Sequence, residues 1–399
     1  MWFEEMWREL APIGRFDGTG GYRRFTYTPA ELECRAWFTA QATSRGLSVE
    51  TDRNGNLWAW WGDADAGGAI ATGSHLDSVP DGGAFDGPLG IVSAFAAIDL
   101  LRQAGFTPGK PIAVAAFAEE EGARFGVACL GSRLLSGAIT PEAARALTDD
   151  NGVTLADAMA TIGADPDAIG RDERLLSRID AYVELHIEQG RAQVDMDAPV
   201  AVAEAIWPHG RWRMDFTGRA DHAGTTRLED RADPMLTYAN TVLAARKKAR
   251  LAGAVATVGR IVCEPNGTNA IPSRVRAWLD ARAPELAALE QVVTELEQAT
   301  VERAGRDGTS VTVSRESYSP HVAFDVPLRD RLAGVLGGAP LLATGAGHDA
   351  GVLAASIPTA MLFVRNPTGV SHSPAENAEM PDCLAGADAL ATVLRELAA

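Results

Sequence analysis

The chain has 399 residues, 46% hydrophobic and 22% charged, the proportions of an ordinary globular protein long enough for two domains with cores of their own. A formal charge of −17 argues against nucleic acid as a partner, because phosphate backbones are held by a basic stripe. The acidity is uneven, and residues 208–320 come out close to neutral and slightly basic. Cys34, Cys129, Cys263 and Cys383 are scattered with no C-x-x-C pair, which fits free thiols in a reducing compartment. No apolar run approaches the roughly 20 residues of a membrane span, so the expectation is a cytoplasmic protein with no membrane contact.

Taken in chain order, the opening MWFEEMWREL is acidic and amphipathic, unlike a signal peptide. TPAELECRAWFTAQATSRG predicts a helix with Thr28 as N-cap, Pro29 at the first helical position, Glu31 closing a capping box and Gly46 as the stop. AIATGS (69–74) predicts a buried strand, PLGIVSAFAAIDLLRQAG (88–105) a helix, and PIAVAAFA (111–118) and AYVELHI (181–187) two further strands. Residues 211–318 then read as strand, helix, two strands, helix and strand, the order of a split βαβ or ferredoxin-like α+β unit. PTAMLFV (358–364) and the closing helix DCLAGADALATVLRELAA resume the first pattern. The expected fold is therefore α/β, a mainly parallel sheet with helices on both faces and a smaller unit inserted into it. Its domains are 1–207 and 321–399 together, with 208–320 between them.

The stretch GSHLDSVPDGGAFDGPLG (73–90) can be neither helix nor uninterrupted strand, yet it carries His75, Asp77, Asp81 and Asp86. What ends each strand explains it. AIATGS runs into His75, PIAVAAFA into Glu119, Glu120 and Glu121, AYVEL into His186, and PTAMLFV through RNPTGVS into His372. Functional groups of open α/β sheets collect at the carboxyl ends of strands. Imidazole plus carboxylate with no thiolate suits Zn²⁺, or Mn²⁺, Co²⁺ or Ni²⁺, in a catalytic site. Three histidines and at least two carboxylates exceed what one ion takes, so two divalent ions sharing a bridging carboxylate fit better. Asp86 is the natural bridge, since Gly82, Gly83 and Gly87 let the chain fold it toward His75. Asp77 is placed to accept the other imidazole N–H of His75.

GSHLDSVPDGGAFDGPLG, EEEGARF, ELHIEQG, DHAGTT, NGTNAIP and GVSHSPAE, in this order, resemble the zinc amidohydrolases that include N-carbamoyl-L-amino acid hydrolases, β-ureidopropionases and allantoate amidohydrolases. These belong to the wider aminoacylase and carboxypeptidase-like superfamily of dinuclear metallohydrolases, and the resemblance runs from about Trp7 to the last helix. It implies a zinc-exopeptidase-like catalytic domain and an inserted lid and dimerisation domain, hence a homodimer. It implies that His75, Asp86 and His186 hold one ion, that Asp86, Glu121 and His372 hold the other, and that Glu120 is the general base. It places Gln189, His222, Asn269 and Arg282 around a small anionic substrate. On that reading His222 donates to the developing oxyanion and Arg282 forks the substrate carboxylate. Gly347 and His348 of TGAGHDA precede a helix start that is either a second place for that carboxylate, through its free N–H groups, or a plain helix start.

The implied reaction is cleavage of the carbamoyl C–N bond of an N-carbamoyl-L-amino acid or of allantoate, releasing CO₂ and ammonia. Deacylation of another N-acyl amino acid such as N-formyl-glutamate, cleavage of a dipeptide, and a catalytically dead metal-dependent binding protein are the competing readings. Two positions depart from the family pattern. Arg227 follows Thr225 and Thr226 where proline is common, and His209 sits in IWPHGRWR where Gly-Gln is usual. Arg227 either favours a substrate with a second acidic group or is a surface arginine beside Glu229, Asp230 and Arg231.

Overall fold

The computed structural model describes residues 2–399. The chain divides into two units, one formed by the chain up to Glu204 and again by Ala323–Ala399, the other by Ala205–Val322.

A nine-stranded sheet organises the first unit. Seven of its strands lie in the spatial order Ser48–Thr51, Leu57–Trp61, Ile112–Phe117, Ala69–His75, Ile179–Ile187, Thr359–Val364 and Val200–Ile206. The four central members run parallel, and antiparallel strands flank them on both sides. The parallel strands are those written as unbroken apolar runs, and Ile112–Phe117 and Thr359–Val364 are buried at every position.

One face is covered by helices Pro88–Gln103 and Met380–Ala398, joined in the same core by Phe3, Met6 and Leu10 of helix Trp2–Leu10 and by Cys34, Trp37 and Phe38 of helix Pro29–Ser44. Pro88–Gln103 is apolar almost all round, and accordingly every residue from Pro88 to Ile98 is buried. Each fully buried Leu, Ile or Phe there contributes about 1.5–3 kcal/mol relative to exposure. On the other face Trp58, Trp60, Phe117 and Tyr182 interlock, with ring centroids 5.7–6.0 Å apart. Strand Ile179–Ile187 shows how the two faces are sorted. Val183, Leu185 and Ile187 enter the helix-covered core, so the two-residue period sends Tyr182, Glu184 and His186 the opposite way.

Helix Pro29–Ser44 starts where the sequence indicates, but its capping box does not form. The Thr28 hydroxyl donates to the Phe25 carbonyl, and Glu31 accepts the N–H of Tyr27 instead of Thr28 while pairing with Arg35. A cation one turn along draws the carboxylate away from its reciprocal partner.

The second unit is an antiparallel sheet in the order Ser310–Ser319, His209–Thr217, Arg274–Arg282, Val255–Glu264, with helices Pro234–Leu251 and Leu286–Asp307. Counted within the unit this is strand order 4-1-3-2. Arg274–Arg282 alternates strictly between buried and half-buried positions, and Val275, Ala277, Leu279 and Ala281 meet Phe216, Leu289 and Leu296 in a separate core. The boundaries fall at 205 and 322, a few residues outside the 208–320 read from sequence.

Candidate metal centre

His75 ends strand Ala69–His75, and its Nδ1–H donates to the backbone carbonyl of Asp77 at 3.1 Å. His186, near the end of the neighbouring parallel strand, donates its Nδ1–H to the Ile187 carbonyl at 2.8 Å. Both donations leave Nε2 as the lone-pair atom. These two Nε2 atoms are buried without a hydrogen-bond partner. They lie 3.4 and 3.1 Å from Oδ1 of Asp86. The other oxygen of Asp86, Oδ2, lies 3.5 Å from His372 Nε2, which is 3.6 Å from Glu121 Oε2. Two donor sets thus share one carboxylate: His75, Asp86 and His186, and Asp86, Glu121 and His372.

Imidazole lone pairs facing carboxylate oxygens repel unless positive charge lies among them. The proton affinities show that demand. Burial opposes a charged His186, yet Asp86 outweighs it and raises the imidazole to about 9. Burial likewise would raise Asp86, and His186 and His75 hold it well below the usual carboxylate range. A divalent cation meets the same demand, and this nitrogen and oxygen donor set is one that zinc-like ions accept. The residues therefore fit the metal.

The backbone is shaped for this. Gly87 has φ +84°, and a Cβ there would lie 2.5 Å from the His75 ring. Glu119 and His372 adopt φ +55°, a left-handed conformation that costs energy outside glycine and marks sites where geometry is imposed. Glu120 is buried, with Oε2 3.6 Å from His75 Nε2 and Oε1 accepting the Cys129 thiol at 3.1 Å. Burial pushes Glu120 up to about 7, His75 opposing and Asp77 adding to the rise. Such a carboxylate can both take and return a proton near neutrality.

Residues 71–396 match the family described as peptidase family M20/M25/M40. The chain belongs to that family. It is 35% identical over 403 residues to an N-carbamoyl-L-amino acid amidohydrolase of Geobacillus stearothermophilus, covering 99% of this chain and 98% of that one. An allantoate amidohydrolase of Escherichia coli K12 is 31% identical over 393 residues, covering 96% and 94%. Among solved structures, an amidase of the hydantoinase/carbamoylase family from Burkholderia vietnamiensis superposes with a TM-score of 0.89 at 29% identity, covering 99% of this chain and 96% of that chain. The M20 family is metal-dependent, and the paired donor sets match that in residue type.

The other residues singled out from sequence fall in different surroundings. Asp77 meets His75 through its carbonyl, while its carboxylate accepts the N–H groups of Glu120 and Glu121. Gln189 Nε2 donates to Asp86 Oδ2 at 2.8 Å and lies 3.2 Å from His372 Nε2, so it stands against the centre itself. Gly347 is exposed and His348 buried, its ring 4.5 Å from that of His186. The helix after it, Asp349–Leu353, commits the Ala350 N–H to Glu184, which removes that donor from any substrate carboxylate.

Five residues of this group lie within the second unit. His222 occupies a two-residue strand paired with Ala270–Ile271, and the backbone carbonyl of Asn269 extends that pairing by accepting the Ala223 N–H at 3.0 Å. Nδ1 of His222 accepts the N–H groups of Gly224 and Thr225, so Nε2 carries the proton on an exposed ring. Arg282 holds Asp280 with two nitrogens at 2.8 and 3.0 Å. Arg227 is exposed and pairs with Asp230 at 2.7 Å and Glu229 at 3.5 Å, the arrangement of a surface arginine. His209 stands across the sheet from Arg282 with its Nδ1 on the Trp207 carbonyl, and burial lowers its proton affinity.

Sequence reading missed Glu376, Ser371 and Glu184. Glu376 accepts the N–H groups of Phe85 and Asp86, and Ser371 donates to Asp86 Oδ2 at 3.2 Å. Glu184, fully buried on the strand that carries His186, accepts the hydroxyl of Ser74 on the neighbouring strand that ends in His75. An acid inside the run AYVELHI was the available signal, since a strand buried on both faces carries one only with partners.

Proposed function

We propose that this protein is a dinuclear metal-dependent amidohydrolase that cleaves the carbamoyl C–N bond of an N-carbamoyl-L-amino acid, with allantoate the alternative substrate of the same chemistry. The observation that carries the reading is the division of Asp86, one oxygen toward His75 and His186 and the other toward His372. Whole-length similarity to relatives named for these two substrates supports the choice of bond. In this reading His75, Asp86 and His186 hold one ion and Asp86, Glu121 and His372 the other, zinc being the first choice. When bound, such a pair lowers the pKa of water and polarises a carbonyl oxygen.

The chain's own residues supply the rest. Glu120 takes a proton from the attacking water and returns it to the leaving nitrogen as the C–N bond breaks. The products are the free amine and carbamate, which falls apart to CO₂ and ammonia. His222, its Nε2 protonated by the arrangement at Nδ1, donates to the oxyanion, with Asn269 holding its ribbon. Arg282 offers its guanidinium to the substrate carboxylate once Asp280 yields it. Residues 205–322 act as lid and as the contact of a homodimer.

A substrate panel on protein reconstituted with zinc, manganese, cobalt or nickel tests this. Ammonia release is expected from N-carbamoyl-L-amino acids or allantoate. Turnover confined to N-formyl-glutamate or dipeptides, with none on the ureido compounds, refutes the proposed bond.

A further inference from the structure

The loop carrying Asp86 is held by two parts of the chain, and only one lies in the region the family match covers. Within that region, Glu376 Oε1 accepts the N–H of Phe85 at 2.8 Å and of Asp86 at 2.9 Å. The second hold comes from residues 7–24, ahead of the matched region.

Tyr22 N–H donates to the Gly82 carbonyl at 3.0 Å. Arg24 N–H donates to the Ser78 hydroxyl at 3.0 Å, and the Ser78 N–H donates back to the Arg24 carbonyl at 3.2 Å. Arg23 lays two nitrogens on the two oxygens of Asp81, at 2.8 and 3.0 Å, and the Thr19 hydroxyl joins them at 2.8 Å. Trp7 stacks on Phe85 with centroids 4.8 Å apart. Closest of all is Gly21, where a Cβ would lie 2.5 Å from the Asp81 carbonyl oxygen. Asp81 itself is held at φ +58°. Behind this contact the buried guanidinium of Arg24 donates to the carbonyls of Leu10 and Ile13, fastening the N-terminal helix to the same segment.

We propose that residues 7–24 form a positioning brace for the metal centre, fixing the loop from Ser78 to Phe85 so that Asp86 can serve two ions at once. The inference rests on the metal-centre reading above. A loop of glycines and prolines has no ladder of its own, so the entropy lost in ordering it must be offset by neighbours. A bridging carboxylate tolerates little misplacement, and partners outside the ligand set govern metal affinity for that reason. The Arg23–Asp81 pair is 40% and 30% exposed, which makes it a weak contributor to global stability. Its leverage is local, five residues from Asp86.

The test is zinc titration of the metal-stripped full-length protein against a competing chelator, with thermal unfolding of the same stripped samples. Arg23→Ala is expected to weaken zinc binding about 10-fold and Gly21→Ala at least as much, for lack of a well-placed supporting shell. The stripped Arg23→Ala protein should melt close to wild type, and Arg23→Lys should recover most of the affinity. Arg331→Ala, which breaks an exposed pair with Glu396 elsewhere, should leave zinc binding unchanged. If Arg23→Ala and Gly21→Ala bind zinc as wild type does, the brace is wrong; should Gly21→Ala not fold, Arg23→Ala decides alone. A wild-type protein that takes up no divalent ion overturns the metal-centre reading together with the brace.

Discussion

Asp77 grips the backbone of Glu120, its Oδ1 accepting the Glu120 N–H at 3.2 Å while its Oδ2 accepts the next N–H, that of Glu121, at 3.1 Å. Its carbonyl meanwhile takes the Nδ1–H of His75. One residue therefore orients a member of each donor set and the proposed base between them. Asp77→Ala is expected to lower metal affinity about 10- to 100-fold and to reduce turnover even at saturating metal. Metal titration followed by steady-state kinetics checks both, and unchanged kcat at full loading would deny Asp77 any hold on Glu120.

Glu120→Gln removes the proposed proton carrier but keeps the shape and both donor sets. It should retain two metal equivalents by elemental analysis and lose about 10²- to 10⁴-fold in kcat. A variant that turns over normally places the base elsewhere.

Metal content should likewise survive His222→Ala, because the ring lies outside both donor sets. Loss of an oxyanion donor costs about 10²- to 10³-fold in kcat. Wild-type kcat with a raised KM would assign His222 to binding alone.

Gly87→Ala tests packing instead of chemistry. The added methyl meets the His75 ring at 2.5 Å and the backbone sits at φ +84°, so the loop must shift. Urea unfolding of the stripped protein should show a loss of about 1–3 kcal/mol, the usual cost of forcing a disfavoured backbone conformation. Zinc affinity should fall with it.

Chelation gives the simplest reversible test. Stripped protein should be inactive, regain turnover on adding back zinc, and unfold at a lower temperature than the loaded form, since a ligand that binds only the folded state stabilises it. Equal melting temperatures with and without saturating zinc would count against a built metal centre.

Much of this was legible because strand ends and turn chemistry are local. The apolar runs marked the central strands, and the residues that terminate them, His75, Glu121, His186 and His372, are those the fold brings together. What escaped notice depends on distant partners. Glu376 sits in GVSHSPAE, yet its role is to hold N–H groups some 290 positions earlier. Arg282 reads toward a substrate carboxylate, and only the folded chain shows Asp280 already on it, whereas the surface reading of Arg227 beside Glu229 and Asp230 is open in the sequence. The capping box at Thr28 failed for the same reason in miniature, as Arg35 claims Glu31.

The span between Phe85 and Glu376 also orders events during synthesis. The loop bearing Asp86 leaves the ribosome some 290 residues before the carboxylate that receives its N–H groups. Until then the loop lacks that anchor and is held from residues 7–24 alone. The final geometry of the Asp86 loop therefore waits on a residue made some 290 positions later, and Glu376→Ala would leave His75 and Asp86 in place with one of the loop's two fastenings gone.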